Sequence, residues 1–230
     1  MQILETQIFP HDDRYLPLRW VKGSGLLGQY DHLDNLMLDL KITPAYGMKT
    51  IDKPGNSLII GDPLNRVIQL NDKANKFNTR LLSSAKSSIQ QHVKLYRQQH
   101  ATLLGPDGGI RGKLILESNQ NAAWTLITAS YLPQDSVELN HFVAQADVRG
   151  EFVIDLSGIK MPDDGSNPDF TLSVQSVTGL TPDQIPNPDL FVNFQISTDI
   201  DVNNLATDIT VTLDNYGGVK QLGDLLIAPI

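Results

Sequence analysis

Gly109-Ile-Arg-Gly-Lys-Leu-Ile-Leu116 and Asp147-Val-Arg-Gly-Glu-Phe-Val-Ile-Asp-Leu156 are the stretches whose reading decides the fold. In the first, Ile110, Leu114 and Leu116 form an apolar run with a glycine, Gly112, inside it. In the second, Phe152, Ile154 and Leu156 alternate with more polar positions, the period-2 pattern of a half-buried strand. The turn between them and what precedes, Asp147-Val-Arg-Gly150, has a defined chemistry. The Asp side chain caps the backbone two residues on, and Gly accepts the positive φ. Between the two stretches lie Ala122-Ala-Trp-Thr-Leu-Ile-Thr-Ala129, dense in strand formers, and Phe142-Val-Ala-Gln-Ala146. Together they read as one small β-sandwich over about residues 110–158.

The order Ile110-Arg-Gly-Lys-Leu, Ala123-Trp-Thr-Leu-Ile, then Ala146-Asp-Val-Arg-Gly-Glu-Phe-Val-Ile resembles the carboxypeptidase regulatory-like (transthyretin-like) β-sandwich domain. Ser118-Asn-Gln-Asn121 departs from it, standing where that family has a Pro- or Gly-containing turn. The resemblance covers about a quarter of the chain. It implies a scaffold or adhesion module rather than a catalyst.

Working outward, Gly105-Pro-Asp-Gly-Gly109 reads as a linker, which divides the chain into 1–104 and 110–230. The first part reads as a meander of short strands at Leu16–Val21, Leu36–Thr43, Ser57–Ile60 and Arg66–Leu70, preceded by an extended arm. Leu82, Ala85, Ile89, Val93 and Tyr96 then recur at helical spacing, which predicts a helix over about 79–99. Lys73, Lys76, Arg80, Lys86, Lys94 and Arg97 occur with no acidic residue before Gly105. The rest of the chain therefore carries −14 of the overall −8. A one-signed segment on an acidic chain reads either as a solvated face or as a docking element, with Lys86, Lys94 and Arg97 the candidate partner-binding residues. The second part adds strands at Phe170–Val174, Leu190–Ile196, Ile209–Leu213 and near Leu222–Ile227. The expected fold is thus mainly β: a transthyretin-like or Ig-like sandwich with flanking strands and one basic α-helix.

Composition excludes several classes. A net charge of −8 opposes general nucleic-acid binding. No cysteine is present, so neither disulfides nor thiolate metal sites hold the fold. No apolar run approaches the roughly 20 residues that span a bilayer. The N-terminus lacks a signal-peptide pattern, so a soluble product of the cytoplasm is expected.

The chain shows no Gly-x-Ser-x-Gly elbow, phosphate-cradling loop, dinucleotide fingerprint or His-Glu-x-x-His pair. Two cation readings remain. His11, Asp12 and Asp13 with Asp31, His32 and Asp34 offer imidazole and carboxylate ligands. The loop 163–169 offers oxygens from Asp163, Asn167 and Asp169, as calcium prefers, against the simpler reading of a surface turn. No cofactor is expected. Trp124, inside an apolar run, reads as core, whereas Trp20 fits either core or a sugar-stacking surface.

The function expected from this is non-enzymatic: a structural subunit of a phage tail, baseplate or contractile injection particle, with other protein subunits or its own copies as partners. A carbohydrate- or surface-binding sandwich module is the alternative.

Overall fold

The computed structural model describes residues 76–81, 92–134, 136–159, 162, 166–179, 184, 187–214 and 217–230 in full, and elsewhere the backbone of the strands named below. The chain is mainly β and divides into two units, residues 1–97 with 185–187, and residues 98–184 with 188–230.

Among the described residues the first unit holds nine short strands in three sheets. Strands β5 (Lys49–Asp52), β6 (Leu58–Gly61), β1 (Glu5–His11) and β9 (Gln90–Lys94) form one, in that order. Strands β4 (Leu40–Thr43), β7 (Val67–Asp72) and β8 (Arg80–Ser83) form a second, and β2 (Arg19–Trp20) pairs with β3 (Met37–Leu38). Short strands lie near the positions expected from sequence, but their order is not that of a meander: β1, around Pro10, pairs with β6 and, in parallel, with β9, and β4 pairs with β7.

The predicted helix over 79–99 is replaced by two strands, β8 and β9. The physical reason lies in the same residues. Ser83, Ser84, Ser87 and Ser88 interrupt the segment, and serine side chains compete for the backbone and favour turns. Cations of one sign also give a helix no i,i+4 pairs to offset the entropy of forming it. Of the residues at helical spacing, Val93 in β9 and Tyr96 just after it are buried, as is Leu95 between them, whereas the side chains of Leu82, Ala85 and Ile89 lie outside the described residues.

Among its described residues the second unit forms one eight-stranded sheet. Its strands are β10 (Gly109–Leu116), β11 (Leu126–Tyr131), β12 (Asn140–Gln145), β13 (Glu151–Asp155), β14 (Asp169–Ser176), β15 (Val192–Ser197), β16 (Ile209–Thr212) and β17 (Val219–Pro229). The order across the sheet is β12-β11-β14-β15-β17-β10-β13, with β16 pairing β14 beside β15. The end strands β12 and β13 follow one another through residues 146–150 and pack together, so the sheet nearly closes on itself.

The two deciding stretches are antiparallel neighbours, Ile110 opposite Ile154 and Gly112 opposite Phe152. Gly112 has a packing reason: a Cβ there would lie 2.9 Å from the Phe152 ring, at the point where the β10–β17 register shifts. The sheet runs well beyond residue 158, because β14 to β17 belong to it.

One core fills the interior. Ile110, Leu114, Phe152, Ile154, Phe170, Leu172, Val174, Phe194, Ile196 and Ile227 are each 2% exposed or less. β14 shows the alternation plainly, with Phe170, Leu172, Val174 and Ser176 buried and Thr171 and Gln175 exposed. The expected strand at Ala122–Ala129 begins only at Leu126. Trp124 sits in the preceding turn at φ 64°, half-buried rather than core.

The Asp147–Gly150 turn forms as its residues dictate. The Asp147 carboxylate accepts from the Arg149 and Glu151 amides at 2.7 and 3.0 Å, and Gly150 has φ 76°. Residues 105–108 make a turn within the second unit, the Gly105 amide donating to the Asp155 carboxylate at 3.2 Å.

Candidate functional site

The partner-binding residues expected from sequence fall in the first unit. Lys86 lies outside the described residues. Lys94 is half-buried in β9, and its carbonyl accepts from the Arg80 guanidinium. The Arg97 guanidinium stands 5.3 Å from the centre of the buried Phe77 ring, a cation–π contact that ties it to its own unit. Cations crowd here: burial first, and the Arg97 charge second, hold the Lys76 amine below its ordinary pKa.

The calcium loop is only partly described. Asp163 lies outside the described residues, Asn167 is exposed, and the Asp169 carboxylate accepts from Thr212 Oγ1 at 2.6 Å. The side chains of His11, Asp12, Asp13, Trp20, Asp31, His32 and Asp34 also lie outside them. Among the described residues no group of three or more His, Asp or Glu could hold a metal.

Two polar groupings in the second unit were not foreseen. Ser130 Oγ and His141 Nδ1 are 2.9 Å apart, joining cross-strand neighbours of β11 and β12 on an exposed surface. Arg149 bridges Asp147 at 3.1 Å and Glu151 at 2.8 Å. The Asp147 hydrogen bond and charge, with Glu151 after them, raise the guanidinium pKa. Both groupings stabilise a turn or strand pair. A shallow cleft of about 310 Å³ has Leu116, Ala122, Ala123, Phe194 and Ile227 as floor and Glu117, Ser118, Gln120 and Thr178 among its rim. Its one aromatic ring, Phe194, is 2% exposed, so the cleft presents no platform for stacking.

The feature best suited to recognition is backbone. β16 pairs with β14, Phe170 opposite Val211 and Leu172 opposite Ile209; on its other side Ala206, just before the strand, bridges Ile196 of β15, and no described strand pairs Thr210 or Thr212 there. The Leu213 N–H donates to the Pro168 carbonyl at 3.0 Å. Backbone direction alternates along a strand, so Val211 and Ile209 also turn theirs to β14, and Thr210 and Thr212 turn theirs outward.

Next along the chain, β15 covers β17 only from Leu226 to Pro229, leaving the side of Val219–Gln221 away from β10 without a described partner strand. There the Gly109 N–H donates to the Gly218 carbonyl at 3.1 Å, so Val219 and Gln221 face their backbone outward by the same alternation. A notch of about 170 Å³ lies between the two, lined by Leu213, Asp214, Val219, Lys220 and Gln221.

The C-terminal stretch that carries this edge is acidic. From Pro188 onward the chain has Asp189, Asp199, Asp201, Asp208, Asp214 and Asp224 against the single cation Lys220, which is ion-paired to Asp214. Sequence identified β16 as a strand. It gave no sign of which strand would be its neighbour, so the open side was invisible there.

No known protein family matches this chain, and no curated protein matches it. Among solved structures it is similar to a 9R-lipoxygenase from Cyanothece (14% identity, 56% of this chain and 18% of that one, TM-score 0.30). It is also similar to a leucine-rich repeat protein from Bacteroides thetaiotaomicron (10%, 100% and 26%, TM-score 0.24). A streptococcal ancillary pilin is a third (9%, 96% and 62%, TM-score 0.23). The chain thus spans about a fifth of the lipoxygenase and a quarter of the repeat protein. None of the three reaches a score at which a shared fold follows.

Proposed function

We propose that this chain is a structural subunit of a larger protein assembly, of the kind found in phage tails, baseplates or contractile injection machines, with a transthyretin-like sandwich over about 109–158 as its scaffold. The observation that supports it is the outer side of β16 on an otherwise nearly closed sheet: beyond the Ala206–Ile196 bridge that leads into it, no described strand pairs that side. Monomeric β proteins blunt such edges with Pro, inward charges, bulges or a covering loop, because a bare edge pairs with other chains. Ile209-Thr-Val-Thr212 carries neither Pro nor a charged side chain, and its four-residue length, with Asp208 and Asp214 beside it, is what limits its pairing.

The antiparallel pairing of β10 with β13 and the capped Asp147–Gly150 turn support the sandwich assignment. A carbohydrate-binding module would instead need a wet cleft with an exposed ring, and the 310 Å³ cleft offers a buried one.

Light scattering on the purified protein, together with retention on an immobilised polysaccharide, separates the two. A subunit elutes as a species heavier than one chain, alone or with its partner, and passes the polysaccharide unretarded. A monomer held by the polysaccharide overturns the reading.

A further inference from the structure

We propose that β17 is exchanged between copies of this chain: the strand of one copy fills the place between β15 and β10 of a second, and the second returns its own. This rests on the assembly reading and names both the partner and the element that joins it.

Topology frees β17 from the chain that precedes it. Consecutive strands are usually neighbours, and only six residues, 213–218, separate β16 from β17. β16 nevertheless pairs with β14, while the described partners of β17 are β10 on one side and β15 on the other. Withdrawing β17 therefore breaks no described ladder between it and β16. The connection ends in Gly217, at φ 74°, and Gly218, and glycine lets the chain leave in another direction at little steric cost.

Burial restricts where the strand can go. Leu225, Leu226 and Ile227 are 1%, 2% and 0% exposed, and Leu222 packs against the same core. A withdrawn β17 brings this apolar surface into water, so an open copy does not persist alone. The place that covers it again is the same one in another copy. There residues 109–116 and 194–197 supply the same register, Gly109 opposite Val219 and Ser197 opposite Leu226. Reciprocal exchange leaves no place empty and closes after two copies.

The contacts of β17 are equal in the closed and exchanged forms. Concentration and the conformation of the connection then decide between them. In the closed form a Cβ on Gly217 would lie 2.8 Å from the Pro106 carbonyl oxygen, so the connection can be burdened without touching β17.

The chain has no cysteine, so single thiols report the exchange. Lys113 and Asp224 stand opposite one another in β10 and β17. Full-length Lys113→Cys and Asp224→Cys proteins are mixed at about 200 µM, incubated and oxidised, and the disulfides are sorted by mass. The expected result is a disulfide between unlike copies in about tenfold or greater excess over those between like copies. Gly217→Ala, added to both proteins, raises its yield about fivefold or more. The exchanged pair persists on dilution and is the same at about 0.05 and 0.5 M salt, since main-chain and apolar contacts hold it. The Lys113→Cys, Asp224→Cys double variant, closed by its own disulfide when dilute, stays monomeric when concentrated.

Unlike-copy and like-copy disulfides in the proportions of random collision overturn the proposal. So does a closed double variant that still elutes as a species heavier than one chain, and in that case the assembly reading stands with another surface carrying it. The assembly reading falls separately, on a monomer held by the polysaccharide.

Discussion

Gly150 shows how much one residue fixes here. Its φ is 76°, and a Cβ on it would lie 2.3 Å from the Leu114 carbonyl oxygen, which is backbone and has no room to yield. The Gly150 carbonyl meanwhile accepts from the Leu114 N–H at 2.8 Å. Gly150→Val therefore combines a left-handed backbone penalty with a steric one, and is expected to cost about 2–4 kcal/mol, read from chemical denaturation. An unchanged midpoint would show that the turn re-forms without strain.

A second residue-scale test concerns the buried hydroxyl pair. Thr125 Oγ1 donates to Ser176 Oγ at 3.1 Å, and the two residues are 0% and 4% exposed. Thr125→Val or Ser176→Ala alone leaves a hydroxyl buried without its partner and should cost about 1–2 kcal/mol. The double variant should cost less than the sum of the two. Additive losses would mean that each hydroxyl has another partner.

At the scale of elements, the basic stretch is the most instructive case. Its apolar residues recur with a period near 3.6, yet its serines and one-signed charge deny a helix both propensity and side-chain pairs, and the segment is drawn into two strands. Those countersignals stood in the sequence beside the periodicity. Strands were legible where period-2 alternation coincided with turn residues, as at Leu40–Thr43, Leu58–Gly61, β14 and β16. β1 and β9 were not, since Pro10 and the Gln90-Gln-His-Val-Lys94 run give no alternation, and their pairing depends on partners far away in the chain. The Asp147–Gly150 turn was fully legible because its chemistry is local. The open side of β16 was not legible, because an edge is defined by the strand that fails to pair with it.

Two cations of the stretch, Arg97 and Lys86, also part ways. Arg97→Glu loses the contact over Phe77 and is expected to lower the melting temperature of the first unit, since that contact is worth about 0.5–2 kcal/mol. Lys86→Glu is expected to leave the melting temperature nearly unchanged while weakening association. A melting temperature that falls equally for both would assign Lys86 to its own unit's stability.

For the whole molecule, the nearly closed sheet of the second unit has a consequence in time. β17 is set parallel to β10 in the middle of the strand order, with Gly109 opposite Val219 and Leu116 opposite Ile227. The first strand of the unit thus waits for the last. While the chain is being synthesised, β10 has β13 on one side and an unfilled edge on the other until residues 219–227 have emerged. Loop closure over so long a separation is paid before its contacts form, so folding of this unit should be slow relative to a hairpin-built sheet of equal size. During that interval Ile110–Leu116 is an apolar strand open to any neighbouring nascent chain, and the yield of folded protein becomes a race between arrival of β17 and aggregation.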